Sequence, residues 1–223
     1  MSILRNGLRG VAIAAAVMFS ANAQAEEPIA LLAFGDSLTA GYGLPQDQAF
    51  PQVLERRLAD MGRNVKVRNG GVSGDTSAGG RARLDWMLEP RPDAVILELG
   101  ANDALRGLPP EQLHDNLAAI LQRLQDARIP VLLAGMMAPR NLGPEYVKAF
   151  DLVYPKLSRE FDVPLYPFFL GPVLRRDGLT LADGLHPNAE GVKMVVEGIL
   201  PDVLKLLDTA KAAKAPGPER VSQ

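Results

Sequence analysis

The chain has no cysteine, one tryptophan and two histidines among its 223 residues. Without cysteine, disulfide bonds, thiolate metal sites and a thiol nucleophile are excluded, so an exported form would depend on its core for stability. The histidines, His114 and His186, leave few candidates for a general base or an imidazole ligand. The formal net charge of −2 also lacks the basic excess of a nucleic-acid-binding surface. We therefore expect no nucleic-acid partner.

No apolar run in the sequence reaches the roughly 20 residues that span a bilayer. The N-terminus instead carries Arg5 and Arg9, an apolar stretch over residues 11–21, and then Ala23 and Ala25 around Gln24. This order is typical of a secretory signal peptide cleaved after Ala25, and the apolar stretch is short for a membrane anchor. We expect a signal peptide over residues 1–25, a single domain over 26–208 and a flexible tail over 209–223. The mature protein would lie in the periplasm or be secreted, without an integral membrane anchor.

Short apolar runs alternate with amphipathic segments along the domain. Residues 29–34, 65–69, 93–100 and 129–136 are predicted strands, and the glycine-rich segment 70–80 is a predicted loop. Apolar residues at helical spacing predict helices that begin at Phe50 and that span 109–127, 145–161 and 189–207. This alternation predicts an α/β fold with a parallel sheet covered on both faces. Sites in such folds lie in the loops beyond the carboxyl ends of the strands.

The polar, glycine-flanked loops GDSL, SGDT and GAND follow the predicted strands, and each contributes a residue type that a serine hydrolase requires. Asp183 and His186 lie three residues apart in a later loop, a spacing that lets the carboxylate reach the imidazole. His114 falls in a predicted helix, on its more solvated side, and is the weaker candidate for the base. Taken alone, Ser37 could equally be a turn serine and Asp183 could initiate a turn before the last helix.

The segments FGDSLTAGYG, NGGVSGDTSAGG, LGAND and DGLHPN together resemble the four ordered blocks of the SGNH (GDSL) hydrolase family. The resemblance runs from about residue 31 to residue 191 and is strongest to the secreted thioesterase, lysophospholipase and arylesterase branch. It implies a three-layer αβα sandwich with a central, mainly parallel five-stranded sheet of flavodoxin-like type. It also implies catalysis without a metal or cofactor.

At matching positions, the resemblance implies that Ser37 is the nucleophile, His186 its base and Asp183 the acid that holds the imidazole. The oxyanion would be bound by the backbone N–H groups of Ser37 and Gly74 and by the side-chain amide of Asn102. Ala101 departs from the glycine of many relatives and adds a methyl group beside that amide, which bears on chain-length preference. The neighbouring acids are interpreted as turn-forming and capping residues rather than catalytic ones, and they are Asp36, Asp75 and Asp103.

The predicted function is an exported serine esterase that hydrolyses carboxylic esters and thioesters of short to medium acyl or aryl groups, with lysophospholipids as a further substrate class. We expect a monomer whose partners are these small molecules. The segment after Asn102 resembles a substrate-covering loop, and Met137 would add a soft apolar wall, although Arg106 is expected to be solvated. The predicted substrate-binding residues are Ala104, Leu105, Arg106, Gly107, Leu108 and Met137.

Three alternatives compete with this prediction. A carbohydrate O-deacetylase of the same family would need more aromatic platforms than one tryptophan and four tyrosines readily supply. A catalytically inactive lipid- or glycan-binding module would be expected to lack Ser37, Asp183 or His186. A metal-dependent hydrolase would have to bind its ion almost entirely through carboxylates. The Gly-x-Ser-x-Gly elbow of α/β-hydrolases is absent from the sequence.

Overall fold

The computed structural model describes residues 27–174 and 176–214. The predicted signal peptide and most of the predicted tail lie outside these residues, so both remain predictions. Within the described part of the chain, no helix is long and apolar enough to cross a membrane.

Five parallel strands form the central sheet in the order β2-β1-β3-β4-β5, which confirms the predicted parallel α/β fold. They are β1 (Ile29–Gly35), β2 (Val65–Gly71), β3 (Ala94–Glu98), β4 (Val131–Ala134) and β5 (Leu165–Tyr166). All of β3 and β4 is buried, as expected for apolar strands covered on both faces. β1 lies between β2 and β3, so the chain crosses to one side of β1 to form β2 and to its other side to form β3. The loops after β1 and β3 therefore meet at the edge where ligands bind in such sheets.

Two layers of helices cover the sheet. On one side, α2 (Phe50–Asp60) packs against α8 (Ala189–Lys214); on the other, α5 (Pro110–Asp126) packs against α3 (Ser77–Met87) and α7 (Val153–Phe161). The shorter helices are α1 (Ser37–Ala40), α4 (Ala101–Leu105) and α6 (Pro144–Asp151). The three-layer sandwich implied by the family resemblance is therefore confirmed.

Three helices differ from the sequence prediction. The glycine-rich segment, expected to be a loop, continues into α3, where Thr76 caps the first turn and Gly80 packs closely against Leu99. The helix predicted over residues 145–161 is divided into α6 and α7, because Pro155 has no N–H to donate to the carbonyl four residues earlier. Helix α8 extends to Lys214, beyond the predicted end at residue 207 and six residues into the predicted tail.

Candidate active site

A continuous hydrogen-bonded chain joins Ser37, His186 and Asp183. The Oγ of Ser37 lies 2.9 Å from Nε2 of His186, and Nδ1 of the same ring lies 2.7 Å from Oδ2 of Asp183. Ser37 is 149 positions from His186 in the sequence, so the fold itself brings the two together. The sequence-predicted nucleophile, base and acid thus meet with the geometry of a Ser-His-Asp triad.

The loop that carries Asp183 and His186 is fixed by its own hydrogen bonds. Oδ1 of Asp183 accepts the backbone N–H groups of Leu185 and His186 at 2.9 and 3.0 Å, and Thr180 and Pro187 form an isolated antiparallel bridge. These backbone donors, together with the imidazole, lower the pKa of Asp183 to about 2. The carboxylate is therefore ionised at neutral pH and available to orient the ring.

Ser37 is the first residue of α1, immediately after β1. Asp36 is the N-cap of this helix, and its side chain accepts the N–H of Leu38 at 3.0 Å. A β-carbon on Gly35 would lie 2.4 Å from a carboxylate oxygen of Glu98, so only glycine lets the strand end pass so close to that side chain. The capping interpretation holds for Asp36, while Ser37 directs its hydroxyl to His186.

The expected oxyanion donors, Gly74 and Asn102, line the same cavity as Ser37 and His186. Gly74 has φ +85°, a left-handed conformation that favours glycine, whereas the space around it is open. The left-handed backbone conformation therefore accounts for glycine at this position. The amide nitrogen of Asn102 donates to Oδ2 of Asp36 at 3.2 Å.

Two buried carboxyl groups lie beneath the site. Asp36 and Glu98 are fully buried, and Oε2 of Glu98 accepts the hydroxyl of Thr39 at 2.7 Å and the backbone N–H of Asp36 at 3.3 Å. Burial raises the pKa of Asp36 to about 6, and burial together with the charge of Asp36 raises the pKa of Glu98 well above its usual range. Above about pH 6, Asp36 is therefore mostly ionised, whereas burial and the charge of Asp36 favour the neutral form of Glu98.

The other two acids expected to be structural bind local groups. Asp103 accepts the backbone N–H and the hydroxyl of Ser77 at 2.8 and 2.5 Å. Asp75 accepts Nε of Arg83 at 2.6 Å, and this arginine also donates to the carbonyls of Gly70 and Gly35. These contacts connect the strand-end loops to α3 and α4, which agrees with the structural interpretation.

An apolar cavity of about 820 Å³ opens beside Ser37. Of the six predicted substrate-binding residues, Ala104, Leu105 and Met137 line it; Arg106, Gly107 and Leu108 do not. Arg106 is exposed as predicted, but it is not merely solvated, since its guanidinium donates to the carbonyl oxygen of Gly74 at 2.7 Å. The segment after Asn102 thus divides into residues that line the cavity and a residue that contacts the loop of Gly74.

Much of the cavity wall comes from residues that sequence reasoning missed. The centroids of the Tyr42 ring and the His186 imidazole lie 4.5 Å apart. Arg140 also lines the cavity and forms an ion pair with Asp151. The position of Tyr42 in the first motif was an available signal, whereas the segment after β5 has no helical or strand periodicity. The aliphatic and aromatic residues missed are Leu38, Tyr42, Phe168, Leu170, Leu174 and Leu185.

His114 does not contribute to the site. It is partly buried on α5, and its ring nitrogens lie 3.2 Å from Asp115 and 3.1 Å from Glu160. Across residues 27–174 and 176–214, no group of three or more histidine, aspartate or glutamate side chains is arranged to hold a metal ion.

The sequence matches the profile of the GDSL-like Lipase/Acylhydrolase family over residues 33–194. It is 43% identical over 178 residues to "Esterase TesA" of Pseudomonas aeruginosa, covering 79% of this chain and 89% of that protein. It is 40% identical over 189 residues to "Arylesterase" of Vibrio mimicus, covering 84% and 94%. It is also 40% identical over 168 residues to "Thioesterase 1/protease 1/lysophospholipase L1" of Escherichia coli K12, covering 75% and 79%.

Solved structures show the same similarity. The crystal structure of TesA superimposes with a TM-score of 0.75 at 42% identity and covers 79% of this chain and 98% of that one. The structure of AlinE4, described as an SGNH-hydrolase family esterase, gives a TM-score of 0.69 at 46% identity and covers 81% and 97%.

Proposed function

The chain belongs to the GDSL-like lipase/acylhydrolase family and is a serine esterase, and from this premise we propose that Ser37, His186 and Asp183 carry its catalysis. The observation that supports this assignment best is the unbroken chain of hydrogen bonds from Oγ of Ser37 through both ring nitrogens of His186 to Asp183. Each member has the partner that its role requires.

In the acylation half of the reaction, the Oγ of Ser37 attacks the carbonyl carbon of the ester while Nε2 of His186 takes the hydroxyl proton. Asp183 stabilises the imidazolium, and the N–H groups of Ser37 and Gly74 and the amide of Asn102 bind the negative oxygen. The imidazolium then donates its proton to the leaving alcohol or thiol as the carbon–oxygen or carbon–sulfur bond breaks, and this leaves an acyl group on Ser37.

In the deacylation half, water replaces the leaving group. Nε2 of His186 takes a proton from the water as its oxygen attacks the acyl carbon, and the proton returns to Oγ of Ser37 when the carboxylic acid departs. The site residues of this chain complete both halves without a metal ion or cofactor.

We propose carboxylic esters and thioesters of short to medium acyl or aryl groups as substrates, with lysophospholipids as a further class. The cavity beside Ser37 supports this, because apolar residues, among them leucine, methionine and phenylalanine, form most of its wall and would hold an acyl chain. A carbohydrate O-deacetylase would instead be expected to present polar and aromatic platforms to a sugar. The names of the relatives, which include an arylesterase and a thioesterase/lysophospholipase, support the same substrate classes.

We further propose that the protein is exported to the periplasm, or secreted, after cleavage near Ala25, and that it acts as a monomer. The N-terminal sequence pattern supports export. The nucleophile, base and acid all come from one chain, so a monomer would hold a complete site. N-terminal sequencing of the mature protein and light scattering of the purified enzyme test these two statements.

The deciding experiment measures the hydrolysis of aryl esters of increasing acyl length by the wild-type protein and by Ser37→Ala, with and without a chelator. We expect Ser37→Ala to lose nearly all activity and the chelator to change nothing. Equal activity of the two proteins would refute the assignment of the nucleophile. Loss of wild-type activity in chelator would instead indicate a metal-dependent hydrolase. His114→Ala serves as the matched control, because this histidine lies outside the site and its replacement should leave hydrolysis unchanged.

A further inference from the structure

Asp36 links the helix of the nucleophile to the amide of Asn102. Its Oδ1 accepts the N–H of Leu38 in the first turn of α1, and its Oδ2 accepts Nδ2 of Asn102 at the start of α4. The side chain is fully buried, and Asn102 lies 66 positions away in the sequence. A residue that would serve only as a helix cap needs the first of these contacts and not the second.

The second contact determines which way the Asn102 amide faces. An asparagine amide carries an oxygen that accepts and an NH₂ group that donates, and the two can exchange places by a half-turn of the side chain. An ionised carboxylate offers only acceptors, so it holds the NH₂ group and rejects the oxygen. One of the two amide hydrogens then binds Asp36, and the other remains available to the cavity that Asn102 lines.

We propose that Asp36 is a positioning residue of the reaction, which keeps the Asn102 amide turned with its donor toward the oxyanion. This inference rests on the proposed function, in which Asn102 binds the negative oxygen of the tetrahedral intermediate. If the amide turned over, its oxygen would take the place of the nitrogen and would repel that oxyanion instead of binding it.

The surroundings of Asp36 fix both its position and its charge. Glu98, on β3, accepts the backbone N–H of Asp36, and the hydroxyl of Thr39 holds the glutamate in place. The titratable groups that interact electrostatically with Asp36 are Glu98 on β3, Asp103 on α4 and His186 in the loop before α8. With a pKa of about 6, Asp36 is an acceptor-only carboxylate at pH 8, where the proposal is tested.

The test is a double-mutant cycle at pH 8 with an aryl ester as substrate, comparing wild type, Asp36→Asn, Asn102→Ala and the double variant. The side chain introduced by Asp36→Asn can still accept the N–H of Leu38, but it then presents its own NH₂ to Asn102, so the amide of Asn102 turns over. We expect kcat of Asp36→Asn to fall by about 10²-fold, as when one oxyanion donor is lost, while KM changes less than about threefold. In the Asn102→Ala background, the same substitution should change kcat by less than about threefold.

If Asp36→Asn lowers kcat by the same factor in both backgrounds, Asp36 acts independently of Asn102 and the proposal is wrong. Asp36→Ser provides a second variant, because serine is a good N-cap but is too short to bridge to Asn102. It should lose kcat as Asp36→Asn does, and wild-type turnover in this variant would also overturn the proposal.

The matched control is Asp103→Asn, which changes a neighbouring buried carboxylate that binds Ser77 and not Asn102. The kcat of Asp103→Asn should fall less than about threefold, even if this variant unfolds at a lower denaturant concentration than the wild type. A loss of kcat of about 10²-fold in this control would show that any change in the buried acids impairs turnover, which contradicts a specific role for Asp36. Failure of the proposed function itself would be visible separately, as activity that survives in Ser37→Ala.

Discussion

Replacing Asp36 by asparagine should make the protein more stable at pH 8 while it slows turnover. Burial raises the pKa of Asp36 from 3.8 to about 6 in the folded protein, a difference of about 2 units. At about 1.4 kcal/mol per unit, the ionised carboxylate destabilises the fold by about 3 kcal/mol relative to its neutral form. Asparagine has nearly the same shape and no charge, and its oxygen can still accept the N–H of Leu38.

The sign of this effect depends on pH. The folded protein binds the proton of Asp36 more tightly than the unfolded chain does. The contribution of this proton to the free energy of unfolding is therefore fully present below about pH 4 and is lost as the pH rises through about 6. Asp36→Asn has no carboxyl group to ionise at this position, so its free energy of unfolding does not fall in this way. Its free energy of unfolding should therefore exceed that of the wild type by about 1–3 kcal/mol at pH 8, and the difference should vanish near pH 4.

Urea unfolding followed by far-UV circular dichroism at pH 4, 6 and 8 measures this difference. Circular dichroism is the better probe, because the single tryptophan, Trp86, is 77% exposed and reports little of the core. The control with the opposite sign is Asp183→Asn: the pKa of Asp183 is lowered, so its charge stabilises the fold above about pH 4 and its removal should lower stability at pH 8. A variant Asp36→Asn that is less stable than wild type by a similar amount at all three pH values would refute the reasoning.

The remaining predictions concern the groups around the site. Asn102→Ala should lower kcat by about 10²- to 10³-fold and change KM much less in steady-state assays, and a rise in KM alone would contradict an oxyanion role. Tyr42→Ala should slow turnover about 2- to 5-fold, because the ring 4.5 Å from His186 no longer faces the imidazolium, whereas Tyr42→Phe should retain full rate. Arg106→Ala should lower kcat about 2- to 10-fold with an unchanged melting temperature, because the carbonyl of Gly74 loses its hydrogen-bond donor. An equal loss of kcat in Arg106→Lys would show that a positive charge alone does not replace the guanidinium at this carbonyl.

The fold could be predicted from the sequence because its strands and helices have local patterns, whereas the roles of the site residues were predicted from the resemblance of four segments to a known family. Apolar runs define β1, β3 and β4, and the loops that follow parallel strands meet at one edge of the sheet for topological reasons. Ser37 and Asn102 each lie in such a loop, and Asp183 and His186 share one. The order of the strands therefore brings Ser37 and Asn102 to one edge, whereas the family resemblance predicted that the loop of Asp183 and His186 joins them there.

The cavity wall and the buried acids could not be predicted in this way. Phe168 and Leu174 follow β5 in a segment without periodicity, and their contribution to the wall depends on how that segment packs against the rest of the chain. Glu98 ends an apolar strand, and nothing in the run of residues around it indicates that its carboxyl group is held by Thr39. The bond between Asp36 and Asn102 likewise depends on tertiary structure that local sequence patterns do not specify.

The short loop that holds Asp183 and His186 has a consequence for the timing of activity during synthesis. Because these two side chains come together and late in the chain, a nascent polypeptide that already contains Ser37, Gly74 and Asn102 has the proposed hydrogen-bond donors for the oxyanion and no proposed base. Ester hydrolysis during synchronised in vitro translation should therefore begin only after residue 186, and α8 that follows it and packs against α2, have emerged from the ribosome.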